Sequence, residues 1–122
     1  MRFVFDECLS HRIPNALGIM GKDVCSSIDE WGAGVKDIDW IPVAGKRGWS
    51  VITSDRLKAH ERLALRENTG RVFLLGARNL SAWEAFRLIV NKWDDIEKAA
   101  KKKRPPYIIR VPKRGKLQQV FL

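Results

Sequence analysis

Four carboxylates occupy positions in this sequence where they could act together. Asp6 follows the apolar run "RFVF". Asp55 ends the run "GWSVITSD". Asp37 and Asp39 lie between them in "KDIDW". Carboxylates gathered in one place repel, and they are unfavourable unless a cation offsets their charge. Mg²⁺ or Mn²⁺ does so with oxygen ligands in octahedral geometry. A carboxylate-held ion of this kind suits phosphoryl chemistry, because it activates water and polarises phosphate. Each acid also has an ordinary structural use. Asp39 would cap a helix with Pro42 in its first turn. Asp55 would cap a helix beginning at Arg56. Asp6 is harder to explain as a cap, because Ser10 is the better cap for the segment that follows.

Other polar residues cluster around Asp55. Thr53 and Ser54 are read as orienting it rather than as nucleophiles, since no base is in view to activate them. Arg56 and Lys58 would bind substrate phosphates or remain solvated. His11 and His60 lack metal-ligand spacing to a partner. His60 lies about one turn beyond Asp55, where it touches a bound RNA or simply stays in solvent. Trp31, Trp40 and Trp49 pack in the core, or one of them stacks on a base. The "GAG" of residues 32–34 lacks the pattern of a phosphate-binding loop.

The elements that would position these residues alternate along the chain. "RFVF" reads as a strand. "SHRIPNALGIMG" reads as a helix capped by Ser10 and stopped at Gly21. "DVCSSI" is a weaker strand, and the Gly-rich loop "EWGAGVK" leads to a short helix from Asp39 to Lys46. "GWSVITSD" is a third strand, "RLKAHERLALREN" a helix and "RVFLLG" a fourth strand. The capping box Ser81–Glu84 opens a long helix. Its apolar face is read as Trp83, Phe86, Ile89, Val90, Trp93 and Ile96, and Pro105–Pro106 end it. "YIIRVPKRGKLQQVFL" reads as a terminal hairpin turning at Lys113–Lys116. The pattern predicts one α/β domain over residues 1–122, with a mainly parallel sheet flanked by helices and a C-terminal β-hairpin. Sites in such sheets lie at the carboxyl ends of the strands. Asp6 and Asp55 would share that rim, and Asp37 and Asp39, in the stretch after the second strand, would approach it from a separate segment.

The net charge is +9, and its distribution is uneven. Residues 1–97 carry 14 Lys and Arg against 14 Asp and Glu, whereas residues 98–122 carry nine Lys and Arg and no acid. The segment containing Lys101, Lys102, Lys103 and Arg104 would attract a polyanion through counterion release, or it would keep a helix end soluble. No apolar run is long enough to span a membrane, and the N-terminus does not read as a signal peptide. Cys8 and Cys25 lack zinc-site spacing and are read as reduced core thiols of a cytoplasmic protein.

Two segments resemble a known family. "FVFDECLSHRIPNAL" is similar to the opening of PIN-like domains, a hydrophobic strand followed by an Asp-Glu-Asn-Leu-Ser-type turn and a helix. "DIDWIPVAGKRGWSVITSD" is similar to their second block, which ends in Thr-x-Asp. The resemblance covers roughly residues 1–80. It implies a Mg²⁺- or Mn²⁺-dependent ribonuclease whose first acid is Asp6, whose central acid is Asp37 or Asp39, and whose last acid is Asp55. Glu7 falls on the acid that often follows the first. Cys8 stands where asparagine is common, and the family's fourth acid is not placed. The final helix and hairpin fit the small toxins of type II toxin–antitoxin pairs. The resemblance therefore also implies RNA as substrate, a cognate antitoxin that covers or enters the acidic site, and a homodimer. The alternative is a non-catalytic PIN-like module that binds nucleic acid or another protein.

Overall fold

The computed structural model describes residues 1–120 and 122. Six strands form one mixed sheet in the order β2-β1-β3-β4-β5-β6. β1 (Phe3–Phe5), β2 (Val24–Ser26), β3 (Ser50–Thr53), β4 (Arg71–Leu75) and β5 (Tyr107–Val111) run parallel. β6 (Gln118–Val120) pairs antiparallel with β5, with Ile109 opposite Gln119, and this is the expected terminal hairpin. The strands read as near-continuous apolar runs because both faces of the sheet are covered. On one face Phe3, Phe5, Ile52, Phe73 and Ile109 pack with Ile13, Leu17, Ile89, Trp93 and Ile96. On the other, Val4, Val51, Val72 and Ile108 pack with Trp40, Ile41, Ala44 and Leu65.

The helices are α1 (Arg12–Ile19), α2 (Ser27–Trp31), α3 (Asp37–Lys46), α4 (Ala59–Glu67) and α5 (Ala82–Lys102). Several boundaries correct the sequence reading. The N-cap of α1 is His11, although the Ser10 hydroxyl still accepts the Arg12 backbone N–H at 3.3 Å. Pro14 lies in the first turn, where its missing N–H costs nothing. β2 stops at Ser26, because the Ser26 hydroxyl accepts the Asp29 N–H at 3.1 Å and starts α2, a one-turn helix that the sequence reading left as strand and loop. α3 begins at Asp37 rather than Asp39, with Lys36 as N-cap. Asp39 is therefore not a cap, and Pro42 lies inside the helix rather than in its first turn. α4 begins at Ala59, not Arg56. Glu61 folds back to accept the Lys58 backbone N–H at 2.7 Å, so Asp55 caps nothing.

α5 opens with the expected capping box. The Ser81 N–H donates to Glu84 at 3.0 Å, and the Glu84 N–H donates to the Ser81 hydroxyl at 3.1 Å. Its buried stripe is Ala85, Leu88, Ile89, Trp93, Ile96 and Ala100. Trp83 and Val90, expected on that face, are 64% and 45% exposed. At 3.6 residues per turn Val90 lies about 100° and Trp83 about 120° away from Ile89, and so both miss the sheet.

Candidate metal centre

The chain leaves β1 toward β2 on one side and returns through β3 on the other. The crevice where the winding reverses therefore lies between the carboxyl ends of β1 and β3, which is where open α/β sheets place their sites. Phe5 pairs with Ile52, so the next residues, Asp6 and Thr53, stand side by side on this rim. The Asp6 N–H continues the ladder by donating to the Ile52 carbonyl at 3.0 Å. Asp6 is 4% exposed, and the Thr53 hydroxyl donates to its carboxylate at 2.8 Å. The same hydroxyl accepts the Asp55 backbone N–H at 3.1 Å. One threonine thus ties both acids to the end of β3. Ser54 does not share this task; its hydroxyl lies 3.4 Å from the Cys8 sulfur.

Asp6, Cys8 and Asp55 each offer a ligand atom, and the three atoms lie within 4.8 Å of one another. Cys8 and Asp55 border a cleft of about 700 Å³ that is also lined by Asp37, Arg56, Lys58, Glu61, Arg78 and Asn79, while the nearly buried Asp6 lines a smaller recess that shares Cys8 with it. Asp37 enters from the first turn of α3, where the Trp40 indole N–H donates to its carboxylate at 3.2 Å. Its pKa is raised from 3.8 to about 6, first by partial burial, then by the charges of Asp6 and Glu61. Burial, and then Asp6, also raise the Asp55 pKa. Burial raises the Cys8 thiol above its usual value, so it is protonated near neutrality and adds no charge. The carboxylates therefore form an underneutralised oxygen cluster. Such a donor set fits a hard divalent cation, and the neutral thiol stands beside it as a softer contact.

The other expected residues are placed as follows. Glu7 is exposed and turns aside, accepting the Gly34 N–H at 3.3 Å. Asp39 is exposed and does not line the cleft. Arg56 and Lys58 do line it. Lys101, Lys102, Lys103 and Arg104 do not come near it. α5 leaves the rim after β4 and must return to the opposite edge to begin the parallel strand β5. Its 21 residues carry its last turn about 30 Å from its first. His11 pairs with Asp29 at 3.2 Å, and His60 borders a recess beside the cleft with Glu7, Lys36 and Glu61. Trp31 stacks on buried Trp40 at 5.2 Å and lies 6.1 Å from Trp49, so the three form an aromatic cluster rather than a platform at the cleft. Glu61, Arg78 and Asn79 were not anticipated. The signal for Glu61 was its place three residues after the true N-cap of α4. Asn79 has φ +57, a left-handed position asparagine tolerates, in the loop after β4.

A doubly wound α/β sheet with carboxylates converging at its switch point defines a class of protein suited to binding a metal ion. The family model described as "PIN like domain" matches residues 1–77, more than half of the chain. The chain belongs to the PIN-like domain family. No curated protein and no solved structure matches it. Among the described residues, no helix is long and apolar enough to cross a membrane.

Proposed function

We propose that this PIN-like protein is a Mg²⁺- or Mn²⁺-dependent endoribonuclease. The observation that carries the reading is the mutual approach of Asp6 and Asp55, with Asp37 lining the same cleft as Asp55 and feeling both charges. Asp6 and Asp55 would hold the ion, and Asp37 would complete the oxygen set in preference to exposed Asp39. Bound there, the ion supplies Lewis-acid polarisation of a phosphodiester and a more acidic water. Thr53 fixes the Asp6 carboxylate and the Asp55 backbone, so neither acid must reorganise when substrate arrives. Arg56 and Lys58 offset the charge of an incoming phosphate. Leu9, Leu75, Leu80 and Ala85 give the cleft an apolar floor that limits water around the reacting group.

The cellular setting this reading favours is the toxin of a type II toxin–antitoxin pair. It rests on family membership and on a cleft open enough for a partner segment to enter. A neighbouring reading frame for a small DNA-binding protein that rescues growth on co-expression would support it.

The direct test is RNA cleavage with Mn²⁺, with Mg²⁺ and with chelator, by wild type and Asp6→Asn. Metal-dependent cleavage that the substitution removes by orders of magnitude, in a variant that still melts cooperatively, is expected. Equal activity in both proteins would remove Asp6 from the centre. Absence of metal-dependent cleavage by wild type, with RNA binding retained, would favour the non-catalytic module.

A further inference from the structure

The match to the family ends at residue 77, and the remaining chain returns to the same rim. β5 runs parallel to β4, so its carboxyl end at Val111 lies level with Leu75. The turn that follows, "PKRGK", therefore stands on the cleft's side of the sheet. β5 is two strands from β3, a separation of about 10 Å at ordinary strand spacing. Lys113, Arg114 and Lys116 of this turn are exposed. Among the described residues none of them, nor Arg56, Lys58 or Arg78, forms an ion pair.

The turn is held to the cleft wall at several points. The Gly76 N–H donates to the Val111 carbonyl at 2.8 Å, and Arg110 donates to the Gly76 carbonyl at 3.1 Å. A side chain at Gly76 would displace Arg110, whose Nε it would meet at 2.7 Å, and crowd the Val111 carbonyl at 3.2 Å, so the loop after β4 lies close against β5. Lys92 of α5 donates to the Gly115 carbonyl. The Ser81 backbone and side chain hold the Glu84 carboxyl, in the first turn of α5, below its usual pKa, and Lys113 is near enough to add to this. Arg78, on the loop after β4, lines the cleft.

A cleft lined by Asp37, Asp55 and Glu61, with the charge of Asp6 behind them, repels phosphodiesters beyond the one a cation neutralises. Free cations displaced to one side, on an ordered surface, offset that repulsion. We infer that single-stranded RNA leaves the carboxylate cleft over Arg78 and is held by the hairpin turn Lys113–Lys116, while the lysine run at the end of α5 plays no part. This deepens the ribonuclease reading and rests on it for the identity of the substrate.

The test compares two charge-matched variants of the full chain. One changes Lys113, Arg114 and Lys116 to Gln, and the other changes Lys101, Lys102 and Lys103 to Gln. Both lose three positive charges from exposed positions. Binding of a fluorescently labelled oligouridine is followed by anisotropy in chelator, from about 50 to 200 mM salt. Each phosphate contact contributes roughly 0.7 to the salt slope for a single strand, so the hairpin variant is expected to flatten it by about 2. The helix-end variant is expected to keep the wild-type slope. Equal flattening in both, flattening in the helix-end variant alone, or no change in either would overturn the inference. Hydrolysis of bis(p-nitrophenyl) phosphate by wild type with Mn²⁺ reports the carboxylate centre separately. Its absence would count against the nuclease and leave the binding comparison to judge the surface.

Discussion

Asp37→Asn should stabilise the metal-free protein at neutral pH. In the folded chain the Asp37 carboxyl is raised from 3.8 to about 6, by partial burial and then by Asp6 and Glu61. A raised carboxyl binds more protons folded than unfolded. Stability from this group is therefore complete below the unfolded pKa and declines as pH rises toward the folded one. Above pH 6 the folded state carries the full penalty of the ionised group. At about 1.36 kcal/mol per pKa unit the ceiling is about 3 kcal/mol. Asp37 is only partly buried, and solvent screening reduces the realised value to about 1 kcal/mol. Asparagine removes the charge, and its carbonyl can still accept the Trp40 indole N–H. Urea melts with chelator should show the variant about 1 kcal/mol more stable at pH 7.5, with the gap closing by pH 4. Mn²⁺ should reverse the order, because only the wild type offers the additional carboxylate. A gap independent of pH, or a variant less stable at pH 7.5 in chelator, would refute the electrostatic argument.

Two further substitutions probe the scaffold. Thr53→Val keeps the shape and strand preference but removes the donor to Asp6 and the acceptor for the Asp55 N–H. It should cost about 1–3 kcal/mol in chemical denaturation and weaken Mn²⁺ binding measured by calorimetry. Gly45→Ala places a methyl 2.5 Å from the Asn68 carbonyl, where α3 crosses the end of α4. It should cost roughly 1–3 kcal/mol in the same melts and leave Mn²⁺ affinity unchanged, since the strain lies at the opposite edge of the sheet from the cleft.

Much of the fold and some of the candidate site could be read from residue types. Asp6 and Asp55 were visible because a buried strand needs an apolar run, and an acid after that run marks its end. Ser81 and Glu84 announced α5 because two side chains there satisfy two backbone donors. The choice between Asp37 and Asp39 was not visible. It depends on where α3 starts, and Lys36 is not a capping residue type, so nothing in the sequence flagged the true boundary. Glu61 was hidden for the same reason. Starting α4 at Arg56 makes Glu61 an ordinary surface residue, whereas starting it at Ala59 turns its carboxylate back toward Lys58 and the cleft.

The position of the basic tail was decided by connectivity rather than composition. A helix that follows one parallel strand must run back across the sheet before the next can begin, so the end of α5 and the end of β5 lie on opposite edges. Lys101 and Lys102 occupy the last turn of that helix, with Lys103 as its C-cap. Unsatisfied carbonyls there carry partial negative charge, and each nearby cation gains about 0.3–1 kcal/mol at low salt. That gain explains a lysine run at this point without any nucleic acid. Arg114 and Lys116 have no such explanation, and Lys113 has only the nearby Glu84 carboxyl. All three follow a strand, in a turn without a helix terminus to neutralise, on the same edge as the carboxylates. Charge that the local backbone does not require is either solvated for solubility or available to a polyanion, and the salt slopes of the two charge-matched variants separate these uses.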